Sequence, residues 1–239
     1  MAAQSDQLAC TAHAPYSTDP ELIKHLKARA SKANHLFPIH LAETVAETEF
    51  LATGGGEFRE LLAPLGSNDG SFNPPGCSPV AYLDRLGVLD AQTLAVHCTQ
   101  VDREDIAILA ARCTPVCLCP ASNRYLGAGI APALAMSQAG VKLVMGTDSL
   151  ASNPRLDLWG EMQLLAEQHP GLSPLSILTF ATRNGAEVLG VNTEMGSLVP
   201  GASSSFLAAS VEPEPGDHVE TVPAALVANG RPAQLEWVE

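Results

Sequence analysis

Phe37-Pro38-Ile39-His40-Leu41-Ala42-Glu43-Thr44 is the stretch that decides the fold. An apolar run ends in a histidine, and a carboxylate follows three positions later. Thr44-Val45-Ala46-Glu47 then has the spacing of a helix capping box. This pattern describes a strand that passes through a short loop into a helix. It places His40 and Glu43 at the carboxyl end of the strand, where α/β proteins carry their chemistry. Two later apolar runs end in the same way, residues 93–98 at His97 and residues 142–147 at Asp148.

The segments around these runs alternate. Residues 7–12 form a short apolar run before His13-Ala14-Pro15-Tyr16, and Thr18 and Glu21 have capping-box spacing at the start of a helix from Pro20 to about residue 34. Residues 54–79 are rich in glycine and proline, a long excursion around one helical piece of the kind that serves as a lid or binding loop. A short helix over 79–86 follows, then a helix over 102–112. A strand at 115–119 runs into a loop at 120–123, with helices at 131–139 and 157–168. Apolar strands that alternate with helices of ten or so residues predict a parallel sheet with right-handed crossovers. Helices at 173–181 and 183–190 close this part. Beyond residue 190 the chain becomes rich in Pro, Gly, Val and Ala, with strand-like runs at 206–210 and 224–229 that predict a small β appendage.

Composition narrows the function classes. The chain has 239 residues and is 46% hydrophobic, enough for a real core. Thirteen basic against 26 acidic residues give a formal charge of −13 with no basic cluster, which argues against nucleic acid or an anionic membrane as partner. The six cysteines form no CxxC pair, so reduced thiols in a cytoplasmic protein are expected rather than a zinc cluster or disulfide framework. No basic, apolar leader is legible, and no run approaches the ~20 apolar residues of a membrane span. One histidine at a strand end is ordinary packing, but three polar side chains at three strand ends, with Glu43 added, point to a metal-centred hydrolytic site.

His40-Leu-Ala-Glu43, Val96-His97-Cys98, Cys119-Pro-Ala-Ser-Asn123 and Gly146-Thr-Asp148-Ser149 together resemble the amidohydrolase superfamily, in its chlorohydrolase and adenosine-type deaminase branch. With Ser122–Gly127, the run Gly146–Asn153 is similar to that of aminodeoxyfutalosine deaminases. The resemblance implies a (β/α)₈ barrel of which residues 1–190 form the carboxyl-terminal part, about strands 4 to 8, and residues 191–239 a remnant of the small β domain. It implies one divalent metal ion, zinc or alternatively iron, with His40, His97 and Asp148 as ligands. Glu43 becomes the proton shuttle, with Asp148 the second catalytic carboxylate, and His13, Glu43 and Ser152 the substrate contacts. A metal lowers the pKa of a bound water toward ~7, and a carboxyl group beside it can protonate a leaving amine.

The resemblance implies a hydrolase of carbon–nitrogen bonds other than peptide bonds, a deaminase of a small purine-nucleoside-like substrate and a homo-oligomer when full length. A dechlorinating or guanine-type amidohydrolase and a non-catalytic truncated remnant are the alternatives. One departure bears on activity. None of the seven histidines (13, 25, 35, 40, 97, 169, 218) forms the HxH pair of the family's first strand, and only five β/α units are counted. A complete barrel takes ~250 residues, so residues 1–239 alone are expected to show little turnover.

Overall fold

Residues 37–41 do form a strand, β1 (Phe37–Leu41), and it lies parallel to β2 (Thr93–His97) with Phe37 opposite Thr93 and Leu41 opposite His97. This computed structural model describes residues 9–64, 72–211 and 221–238. The chain divides into two compact units, Met1–Cys117 with Gly127–Lys142, and Leu118–Leu126 with Leu143–Glu239.

In the first unit, Asp19 caps α1 (Pro20–Lys32) by accepting the Glu21 and Leu22 amides. The cap is therefore Asp19 rather than the Thr18 that the spacing suggested, because a proline at the first helical position puts the aspartate just before it. After β1 come α2 (Val45–Thr53), α3 (Glu57–Leu62) and α4 (Pro79–Arg85). Part of the glycine-rich excursion, 65–71, and His218 lie outside the described residues. β2 leads to α5 (Arg103–Ala111), capped by Asp102 and Asp105 in a full capping box. β3 (Val116–Leu118) pairs with β2 in parallel, and α7 (Ala133–Gln138) completes the unit. Ile23, Phe37, Ile39, Leu41, Leu51, Leu83, Leu109 and Met136 are its fully buried large side chains among the described residues.

The predicted strand at 7–12 is not formed over residues 9–12, and residues 7 and 8 lie outside the described ones. The segment still lies beside β1. The His40 amide donates to the His13 carbonyl at 3.0 Å, and the Thr11 hydroxyl to the Pro38 carbonyl. Phe37 donates its amide toward β2, so position 38 faces the His13 side, where proline has no N–H to offer. With that rung missing, the ladder does not extend. Among the described residues the parallel sheet has four strands, where the sequence suggests five.

In the second unit α6 (Pro120–Leu126) starts directly at the end of β3, so residues 120–123 are helix rather than loop. The Gly146 amide donates to the Leu118 carbonyl and sets β4 (Leu143–Met145) beside β3. The sheet order is β1-β2-β3-β4, open among the described residues, as in an incomplete (β/α)₈ barrel. Then follow α8 (Leu158–Gln168), α9 (Pro174–Ala181) and α10 (Arg183–Leu189). The end of the chain differs from expectation. β5 (Phe206–Ala209) pairs antiparallel with β6 (Leu235–Val238), and the run at 224–229 belongs to a helix, α11 (Thr221–Asn229). A short apolar run fits either structure by pattern. Here α11 packs on α8 and α9, with Pro223, Ala225 and Val227 buried. At its end Gly230 lies so close to the Trp159 ring that a β-carbon there would fall 2.2 Å from Cε3. Both tryptophans, Trp159 and Trp237, belong to this unit.

Candidate active site

The first unit brings His40, Glu43 and His97 together. Register alone would keep the two histidines apart. His40 pairs with Val96 and His97 with Leu41, so extended backbone would turn their rings to opposite faces of the sheet. His97 instead adopts φ 75°, a left-handed conformation rare for a residue with a side chain. The rings then stack with centroids 5.0 Å apart, and His97 Nε2 lies 3.0 Å from His40 Nδ1 and 3.6 Å from Glu43 Oε1. His97 is fully buried, while His40 and Glu43 are partly open to solvent.

The donor set fits a divalent metal. The ligand atoms of His40, Glu43 and His97 all lie within 4.8 Å of one another. Two nitrogens on one tetrahedral zinc, at ~2.0–2.1 Å each, stand about 3.3 Å apart, and the observed 3.0 Å differs from that by a few tenths. Imidazole and carboxylate are donors that zinc and iron both accept.

The turn that carries Glu43 is held from behind. Ala42 has φ 50°, again left-handed. Its amide donates to Glu47 Oε1 at 3.1 Å, and the Glu43 amide to Glu47 Oε2 at 2.8 Å. Thr44 caps α2 as its spacing implied, by accepting the Glu47 amide. The Glu47 carboxylate, however, reaches past the cap to the two residues before it. Glu47 is completely buried, and burial pushes its pKa up to about 7 against the pull of those amides, with the Glu43 charge adding to the rise.

His13 lies at the edge of this cluster. It is exposed, its ring is 5.2 Å from that of His40, and its Nδ1 is 2.7 Å from the Ser17 hydroxyl. From His13 a series of ring contacts continues through Tyr16, Phe58 and Phe50 to Phe72 and ties α3 to the histidines. Burial, with Glu47 and Glu43 nearby, raises the Tyr16 pKa to about 12 and keeps its phenol protonated.

Asp148 and Ser152 belong to the second unit. Asp148 follows β4 with φ 57°, and its Oδ2 accepts the hydroxyls of Ser122, at 2.9 Å, and Ser152. The Ser152 hydroxyl, expected at the substrate, is thus engaged with Asp148. A second buried acid backs this loop too. Glu161 on α8 accepts the Ala121 amide at 2.8 Å and the Asn153 side-chain amide at 2.7 Å. Asn153 in turn donates to the Thr147 carbonyl at 2.7 Å. Burial raises the Glu161 pKa despite these donors.

Spacing gives Glu47 the role of a cap and gives Glu161 only a place on the helix at 157–168, and neither shows what the carboxylates hold. The signal was faint but present for Glu161, an acid among the buried Met162, Leu164 and Leu165 of one helix.

Residues 6–231 match the amidohydrolase family. The chain is 36% identical over 185 residues to a 5-methylthioadenosine/S-adenosylhomocysteine deaminase of Dictyoglomus turgidum, which covers 74% of this chain and 39% of that protein. It is 34% identical over 193 residues to an aminodeoxyfutalosine deaminase of Deinococcus radiodurans, covering 78% and 46%. A crystal structure of an adenosine deaminase from Xanthomonas campestris with bound zinc superposes with a TM-score of 0.75 at 28% identity, over 94% of this chain and 48% of that one. The chain therefore spans less than half the length of these relatives.

Proposed function

Because the chain belongs to the amidohydrolase family, we propose that it carries the site of a metal-dependent hydrolase of carbon–nitrogen bonds other than peptide bonds, an aminohydrolase of small purine-nucleoside-like substrates. The observation that carries this reading is the meeting of His40, His97 and Glu43 at two adjacent strand ends. Relatives named as deaminases of 5-methylthioadenosine, S-adenosylhomocysteine and aminodeoxyfutalosine support the substrate class. In this proposal residues 1–190 are the barrel part and residues 191–239 a remnant of the small β domain.

His40 and His97 would hold one divalent ion, with Asp148 as the third ligand. Such an ion would supply Lewis acidity that makes water nucleophilic near neutral pH. Glu43, a carboxylate beside the ligands, takes the proton from the attacking water and delivers it to the departing nitrogen. Asp148 would orient that water, and the Ser122 and Ser152 hydroxyls hold the Asp148 carboxylate. His13 lies one ring contact from His40, within reach of a substrate there. Zinc as the ion follows the zinc bound in the similar Xanthomonas structure.

The test is zinc binding and ammonia release by the purified chain, measured beside His97→Ala. Zinc should bind at one equivalent and be lost in the variant. Release of ammonia from purine nucleosides should exceed the variant's background, while staying low because the HxH ligands are missing from this sequence. Zinc binding that survives the loss of His97 overturns the metal site. Zinc bound with no ammonia from any purine nucleoside overturns the aminohydrolase reading.

A further inference from the structure

Two buried glutamates occupy equivalent places in the two units. Each belongs to the helix that follows a strand carrying a candidate catalytic carboxylate, within that helix's first turns. Glu47 is at the third position of α2, after Glu43. Glu161 is at the fourth position of α8, after Asp148. Relative exposures of 0% and 1% place both among the most buried polar side chains of the protein. A buried carboxylate is costly unless its oxygens are bonded, and an apolar side chain would fill the space without that cost. Packing alone therefore does not account for either residue.

Their hydrogen bonds do. Glu47 spends one oxygen on the Ala42 amide and the other on the Glu43 amide, which fixes the left-handed turn at Ala42 from which the Glu43 side chain leaves the backbone. Glu161 spends one oxygen on the Ala121 amide and the other on the Asn153 side chain. Ala121 and Asn153 are the immediate neighbours of Ser122 and Ser152, whose hydroxyls both bond Asp148 Oδ2. Asn153 cannot yield by flipping its amide, because its nitrogen also donates to the Thr147 carbonyl and its oxygen accepts the Arg155 amide. Left-handed residues with side chains, such as Ala42 and Asp148, persist where surrounding bonds over-determine them.

We infer that Glu47 and Glu161 are positioning residues, Glu47 for Glu43 and Glu161 for Asp148. The inference rests on the reading of Glu43 and Asp148 as the catalytic carboxylates. Glutamine does not substitute at position 47, since its amide nitrogen would face a backbone N–H donor with one of the two acceptors gone.

The test combines amide hydrogen exchange with steady-state kinetics on the full chain loaded with zinc, for Glu47→Ala, Glu47→Gln, Glu161→Ala and Glu161→Gln. Exchange should speed up by about 10-fold or more at Ala42 and Glu43 in the Glu47 variants and at Ala121 in the Glu161 variants. The Ala95 amide, which donates to Pro115, should keep its protection in the Glu47 variants, and the Ile177 amide, which donates to Ser173, in the Glu161 variants. Each certifies that its own unit is folded. Supporting groups behind a site's ligands are worth ~10–100-fold, and the loss should fall on kcat with KM nearly unchanged. A folded variant with unchanged protection at these amides overturns the inference, and so does one with faster exchange but wild-type kcat. If the wild-type chain releases no ammonia, the functional reading fails, and the exchange data still decide whether the two glutamates hold the loops.

Discussion

Glu47 should make the stability of the first unit fall as pH rises, and Glu47→Gln should remove that fall. In the folded protein, burial raises this carboxyl from its ordinary 4.5 to about 7. The native state thus binds the proton more tightly than the unfolded chain. The stabilisation is fully present below the unfolded pKa and is lost as pH rises through the folded one. About 2.5 pH units at about 1.4 kcal/mol each come to about 3.5 kcal/mol, of which about 3 kcal/mol falls between about pH 4.5 and about pH 8, a large share of the ~5–15 kcal/mol typical of a domain.

The side chain is wholly buried, so little of this is screened by solvent. Glutamine stays neutral at every pH, so the acceptor it lacks costs the variant a constant amount and adds no pH dependence of its own. Urea denaturation of both proteins, followed by far-ultraviolet circular dichroism from about pH 4.5 to about pH 8, gives the difference directly. Asp105 and Glu161, whose pKa values are also raised chiefly by burial, are common to both proteins and cancel. The variant should gain about 3 kcal/mol relative to wild type across that range. A difference that stays flat with pH would refute the reasoning.

Zinc should raise the melting temperature of the wild-type chain, and His97→Ala should abolish the rise; a shift retained by the variant counts against His97 as a ligand. Gly230→Ala drives a methyl group into the Trp159 ring and the Leu226 carbonyl, so it should cost about 1–3 kcal/mol or more, read from denaturation of the second unit. Thr44→Ala deletes the cap of α2 and should cost about 1 kcal/mol in the same assay on the first unit.

Strands and long helices were legible because their apolar periodicity is local. β1, β2 and β4 each end at or within three residues of the polar side chain that marked them. What was not legible depended on partners. Pro120-Ala-Ser-Asn123 has the composition of a turn, yet it starts α6, where the Ala121 amide has Glu161 to bond. Residues 224–229 have strand composition, yet α8 and α9 offer a helix a surface to pack on. The segment at 9–12 is apolar enough for a strand and is stopped by a proline one strand away. For the site, His40, Glu43 and His97 could be found from sequence because strand ends converge in such folds. The left-handed backbone at His97 that makes their rings meet has no signature in residue type.

The placement of both tryptophans in one unit has an optical consequence. Trp159 and Trp237 lie in the second unit, and the first, with His40, Glu43 and His97, has only Tyr16 and Tyr82 as emitters. Tryptophan emission therefore watches the Asp148 half of the chain and is dark to the histidines. With Tyr125, the tyrosine of the second unit, replaced by phenylalanine, a melt recorded by tryptophan and again by tyrosine separates the two halves without any label. If the two curves diverge, the unit that lets go first is named by its colour.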